Sequence, residues 1–185
     1  SEALRLAKID AATVDPLAGR IERDAAGEPT GMLYERPAMS LVTDVITPPD
    51  DDILLDELRR VLAELRARGI TGVHDIGDAN GLRLMQRLHA AGALTPRVLF
   101  YAQRQSLPDA VRLGVAADFV DDHLRFAGIK IFMDGALGSQ TAAMLDPYEG
   151  QPGNLGLLTT TDAEVLARAT AAAAGGLGVA IHAIG

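Results

Sequence analysis

Cysteine is absent from the 185 residues, which excludes disulfides and thiolate metal sites and fits a reducing compartment, the cytoplasm. Any metal must then be held by histidine, carboxylate or a modified lysine. Basic residues are the minority, with 17 Lys and Arg against 25 Asp and Glu and a formal charge of -8. Nucleic acid and anionic membrane are therefore not expected as partners, because both need an extended basic surface. The uncharged run from Ala169 to Gly185 is not a membrane span, since Gly175, Gly176 and Gly178 divide it into a helix end and a short strand. The opening SEALRLAKID carries charges throughout and lacks an apolar core with a cleavage site, so no secretory signal is read there. Low-complexity tails are missing too.

What is present is a globular composition, 48% hydrophobic, in a chain long enough for one substantial core. From about residue 48 onward, helical and strand-like runs alternate. TPPDDDILLDELRRVLAELRARG reads as an amphipathic helix with Ile53, Leu54, Leu58, Val61, Leu62 and Leu65 on one stripe and Gly69 as its stop. ITGVHDIG then reads as a strand, NGLRLMQRLHAAG as a helix, RVLFYAQ as a strand, and LPDAVRLGVAADFV as mainly helix. RFAGIKIFMDG is the third strand, TDAEVLARATAAAAGG a helix opened by a Thr or Asp cap, and LGVAIHAIG the last strand. Such alternation implies an α/β fold of parallel strands joined by helical crossovers, either an open doubly wound sheet or a (β/α) barrel. Residues 1–47 read as a β-rich excursion packed on the main α/β unit, with turn signals at Asp24-Ala25-Ala26-Gly27 and Pro29-Thr30-Gly31 between short β-like runs. Residues 48–185 form the α/β part.

A lysine inside the apolar strand GIKIFMDG needs an explanation, because a buried ammonium is costly unless its charge is paired, lost or used. Alternation puts Lys130, Phe132 and Asp134 on one face and Ile129, Ile131 and Met133 on the other. The wholly apolar face should meet the helices. Lys130 then points to the opposite side, and Asp134 stands near the C-terminal end of the strand, where such folds build active sites. In the last strand Gly178, Ala180 and His182 share a face, and two small residues leave space before the imidazole. His74 and Asp75 fall at the C-terminal end of the second strand. Each has a plain structural alternative: Asp134 as the cap of the following turn, Lys130 with its ammonium led out to solvent, and His74 as a satisfied polar group. His89 and His123 read as solvated.

KIFMDGALGSQTAAMLDPY, followed by PGNLGLL and HAIG, resembles the YtcJ-type branch of the metal-dependent amidohydrolase superfamily. SEALRLAKID, GRIERDAAGEPTGMLYE and GITGVHDIG resemble the same branch in the same order, so the likeness covers essentially the whole chain. It implies a (β/α)8 TIM-type barrel, of which this chain holds about four βα units matching strands two to five, truncated at its C-terminus. It further implies a divalent metal centre of one or two ions, zinc in the first instance. Lys130 matches the fourth-strand lysine that is carboxylated by CO2 and bridges two metals in binuclear relatives, and His182 matches the fifth-strand histidine ligand. Asp134, Gly135, His74 and Asp75 are the candidate substrate contacts.

The first-strand His-x-His pair, the sixth-strand histidine and the eighth-strand aspartate that the resemblance calls for are absent. The expectation is a segment of a longer enzyme that hydrolyses amide-like C–N bonds other than peptide bonds. The rest of the barrel lies elsewhere, a homodimer is an open assembly state, and the segment alone is inactive. Two rivals stand beside this reading: a barrel lyase forming a Schiff base through Lys130, and a non-catalytic βα binding module in which Lys130 pairs with Asp134.

Overall fold

Three consecutive acidic residues, Asp50, Asp51 and Asp52, suit a helix start, where the exposed amides of the N-terminus favour negative charge. In the computed structural model, which describes residues 1–117 and 119–185, these residues open a helix of 17 residues, Asp51–Ala67, with Arg66 in its last turn. The described residues divide into two compact units. One comprises Ser1–Pro48, Phe132–Thr160 and Ala183–Gly185, the other Pro49–Ile131 and Thr161–His182.

In the first unit, the helix α1 (Glu2–Leu6) precedes an antiparallel pair, β1 (Arg20–Arg23) and β2 (Pro29–Tyr34), and the helix α2 (Glu35–Thr43) follows directly. The hairpin turn sits at the first of the two turn signals: Gly27 N–H donates to the Asp24 carbonyl at 3.0 Å, and the Asp24 carboxylate accepts from Ala26 and Glu28 N–H. Pro29, Thr30 and Gly31 are not a turn; they begin β2, with Arg23 opposite Pro29. Leu4, Ile9 and Ile21 form a small core of their own, so the two flanking helices matter here as much as the strands.

The second unit holds the α/β pattern. Its elements are α3 (Asp51–Ala67), β3 (Gly72–Gly77), α4 (Ala79–Ala90), β4 (Arg97–Gln103), α5 (Leu107–Arg112), β5 (Phe119–Val120), β6 (Leu124–Phe132, whose last residue falls in the first unit), α6 (Asp162–Ala174) and β7 (Gly178–His182). Strands β3, β4 and β6 are parallel neighbours, β5 runs antiparallel to the start of β6, and β7 also pairs with β6. β5 was not expected. The helix expected over residues 107–120 stops at Arg112, because Val115 N–H turns back to the Ala110 carbonyl at 2.9 Å and closes the last turn. Asp118, part of that expected helix, lies outside the described residues.

Burial follows the strand period. Val98, Phe100 and Ala102 of β4 and Ile129 and Ile131 of β6 lie in one core with Leu84 and Leu88 of α4 and Leu55 and Leu62 of α3. The buried face of α3 thus centres on Leu55 and Leu62, with Leu54, Leu58 and Leu65 at its margin, while Ile53 is 57% exposed. Ile53 precedes Leu55 by two positions, about 200° round the helix at 3.6 residues per turn, and so cannot share its face. α6 begins with a capping box in which Thr161 Oγ1 accepts from Glu164 N–H and the Glu164 carboxylate accepts from Thr161 N–H. No helix among the described residues is long and apolar enough to cross a membrane.

Candidate metal centre

Residue parity decides what each strand offers. On β4, Leu99, Tyr101 and Gln103 occupy the face away from the core, and Gln103 is the neighbour of Lys130 on β6. His74 pairs with Leu99 on the same face, and its ring stacks on Tyr101, with centroids 5.7 Å apart and planes at 21°. That face therefore carries His74, Tyr101, Gln103 and Lys130 on three adjacent strands. Lys130 is half-buried between the fully buried Ile129 and Ile131, and burial lowers its ammonium pKa below the ordinary lysine value. A lysine so placed gives up its proton more readily than an exposed one.

Asp75 does not join that face. It pairs with the buried Phe100, and its side chain lines a groove of about 490 Å³ with Leu58 of α3 and Met85 of α4. Burial, and then the nearby Asp78, pushes its carboxyl pKa up. His74 and Asp75 are thus on opposite sides of one sheet, as consecutive strand residues must be.

A bulge in β6 prepares the position of Lys130. Phe100 pairs with Phe126, but the next residue, Tyr101, pairs with Gly128, so Ala127 is the extra residue. Without it, Phe126 and Ile129 could not both face the core. His182 ends β7, which also pairs with β6, and is half-buried.

Asp134 and Gly135 follow β6. The Asp134 side chain is 3% exposed and its carboxylate accepts from the backbone N–H groups of Ala143 at 3.1 Å, Ile184 at 3.1 Å and Gly185 at 2.7 Å. These are not the bonds of a cap on the following turn, since two of the donors, Ile184 and Gly185, stand 50 and 51 positions further along the chain. Gly135 has no space for a side chain: a Cβ would overlap Thr141 Oγ1 and Glu35 Oε1. Thr141 Oγ1 also accepts from Ala136 N–H at 3.1 Å and shares a hydrogen bond with Ser139 at 2.6 Å. The GALGSQT segment is therefore a closed, internally bonded loop.

Neither Glu35 nor the bulge stood out in the sequence as functional. Glu35 adopts a φ of 65°, a left-handed conformation that costs a glutamate about 1 to 2 kcal/mol, and nothing in local sequence marks it. A glycine inside a strand pattern, Gly128, was the available signal for the bulge. The other two histidines have structural partners: His89 Nε2 meets Asp121 Oδ2 at 2.9 Å, and His123 Nε2 donates to the Leu94 carbonyl at 2.7 Å.

Among the described residues no group of three or more His, Cys, Asp or Glu is arranged to hold a metal ion. By donor chemistry Lys130 and His182 would offer such an ion two ligands at most: an imidazole nitrogen and, were CO2 to add to the amine, a carboxylate oxygen. Two donors are fewer than the four that zinc usually takes.

The parallel sheet with helices packed on its core face defines an α/β protein. All of residues 1–185 match the model of the amidohydrolase family, and the chain belongs to that family. It is 29% identical to the YtcJ protein of Bacillus subtilis (strain 168), covering all of this chain and 35% of that one. It is 31% identical to the N-substituted formamide deformylase of Arthrobacter pascens, with 36% of that protein covered, and 33% identical to the LONG AFTER FAR-RED 3 protein of Arabidopsis thaliana, with 34% covered. An uncharacterised metal-dependent hydrolase of Pyrococcus horikoshii OT3 superposes with a TM-score of 0.76 at 26% identity, over 98% of this chain and 36% of that structure. The chain thus spans about a third of the length of these proteins.

Proposed function

We propose that this chain is the part of a metal-dependent hydrolase that contributes two metal ligands, Lys130 and His182, to a centre that cleaves amide-like C–N bonds other than peptide bonds. In this reading β3, β4, β6 and β7 are the second to fifth strands of a (β/α)8 barrel, and the remaining ligands come from the rest of the enzyme. The observation that carries it is Lys130: a half-buried amine with a lowered pKa, aimed away from the core. The family match supports it, as does a relative whose name describes cleavage of a formamide.

The chemistry of Lys130 balances simply. The neutral amine adds to CO2, forming an N–C bond and releasing one proton, and the resulting carbamate is an anionic oxygen ligand in place of a costly cation. His182 offers the lone pair of a neutral imidazole. When bound, one or two divalent ions, zinc in the first instance, would supply a water of lowered pKa and polarise the substrate carbonyl. His74, stacked on Tyr101 on the same face as Lys130, is the substrate contact we favour on β3. The segment by itself would be inactive, and a cysteine-free chain fits a cytoplasmic enzyme.

The test is metal content per chain in the full-length enzyme purified with bicarbonate, compared with Lys130→Ala. Two divalent ions falling to one or none are expected. Metal absent from both proteins would overturn the metal-dependent reading, and full occupancy after the substitution would remove Lys130 from the centre.

A further inference from the structure

The strands that carry Lys130 and His182 meet at a pair of glycines. Gly128 stands two residues before Lys130, and Gly178 opens β7, four residues before His182. Gly128 has a φ of 148°, in a region that glycine occupies and side chains rarely do. A Cβ there would overlap the carbonyl oxygen, carbonyl carbon and Cα of Gly178. The exclusion is reciprocal, since a Cβ on Gly178 would come within 2.8 Å of the Ala127 carbonyl oxygen, which belongs to the extra residue of the bulge. The obstacles on both sides are backbone, which has no rotamer with which to give way.

This contact adjoins the bulge, whose extra residue reverses the parity of β6 so that Ile129 and Ile131 enter the core and Lys130 faces away from it. With no side chain on either residue, β7 comes against β6 beside the bulge, closer than any Cβ would allow. Bulges and strand glycines recur where a side chain must be re-aimed or two backbones must close up.

We propose that Gly128 and Gly178 are positioning residues for the ligand pair: their backbone contact sets the spacing and register of β6 and β7, and thereby places the Lys130 amine and the His182 imidazole at a common ion. The proposal rests on the hydrolase reading given above.

The experiment uses the full-length enzyme as wild type, Gly128→Ala, Gly178→Ala and, as a control, Gly72→Ala. Gly72 lies on β3, where a Cβ would meet nothing nearer than the Arg97 carbonyl oxygen at 3.5 Å. Three quantities are read: zinc affinity by competition with a chromophoric chelator, the carbamate resonance after incubation with 13C-bicarbonate, and the melting temperature of the metal-free protein. Gly178→Ala should weaken zinc binding at least tenfold and diminish the carbamate resonance while the metal-free protein still melts cooperatively, and Gly72→Ala should leave zinc affinity within twofold of wild type. Gly128→Ala should act in the same direction and more strongly; if its strain prevents folding, Gly178→Ala alone decides. Wild-type zinc affinity in folded Gly178→Ala, or an equal loss in Gly72→Ala, overturns the positioning role while leaving the hydrolase reading intact. A wild-type enzyme with neither zinc nor carbamate overturns both.

Discussion

The backbone N–H of Gly185 donates to the carboxylate of Asp134 at 2.7 Å, across 51 positions of sequence. Two further amides, those of Ala143 and Ile184, converge on the same carboxylate. Unmet donors cost about 1 to 3 kcal/mol each when fully buried and less where water reaches them, as at the exposed Ile184 and Gly185. Asp134→Ala should therefore destabilise the full-length protein by about 1 to 3 kcal/mol, read from the denaturant midpoint. Asp134→Asn, which keeps one accepting oxygen, should fall between the two. A midpoint within error of wild type for Asp134→Ala would show that the three bonds contribute little in solution.

Lysine occurs at two positions in these residues, Lys8 and Lys130. Burial lowers the ammonium pKa of Lys130, so 13C-bicarbonate should give a carbamate resonance that vanishes in Lys130→Ala and survives in Lys8→Arg. A resonance that survives Lys130→Ala would assign the carbamate to another amine.

His182→Ala should weaken zinc binding more than about 100-fold, since even residues that only support metal ligands cost 10- to 100-fold. Competition with a chelator measures this directly, and adding imidazole to the variant should restore part of the affinity. A loss below tenfold would place His182 outside the coordination shell.

Asp75 gives a prediction with a definite sign. Its folded pKa is raised, chiefly by burial and then by Asp78, so the folded state holds its proton more tightly than the unfolded chain does. Stability therefore falls as pH rises from the unfolded carboxyl value, about 3.9, through the folded value, and the penalty is fully present at neutral pH. Asp75→Asn should raise the melting temperature at pH 7, and the gain should shrink as the pH is lowered toward about 4. A gain that is constant with pH would mean that the carboxyl's charge is not the cause.

Much of this arrangement was legible in the sequence. The four strands of the α/β alternation stand out because each pairs β-branched or aromatic residues with a flanking helix signal, and Lys130 is aimed by the simple parity of Ile129 and Ile131. The same parity already separates His74 from Asp75. Other features depend on partners distant in the chain. β5 is two residues long and has no period to read; it is defined by backbone pairing of residues 119 and 120 with Phe126 and Arg125 of β6. The face of α3 is fixed by what Leu55 and Leu62 touch, and the apolar Ile53 follows the stripe in composition but not in packing. The three amides on Asp134 could not be foreseen, because an acidic residue near a turn says nothing of donors 50 positions away.

Among the described residues β3 pairs with β4 alone. Its other side consequently presents an unmatched row of peptide donors and acceptors, a template onto which a second chain can add a strand. Handled by themselves at high concentration, these residues should self-associate through that edge, and a charged substitution at the exposed Ile76 is the place to restrain it.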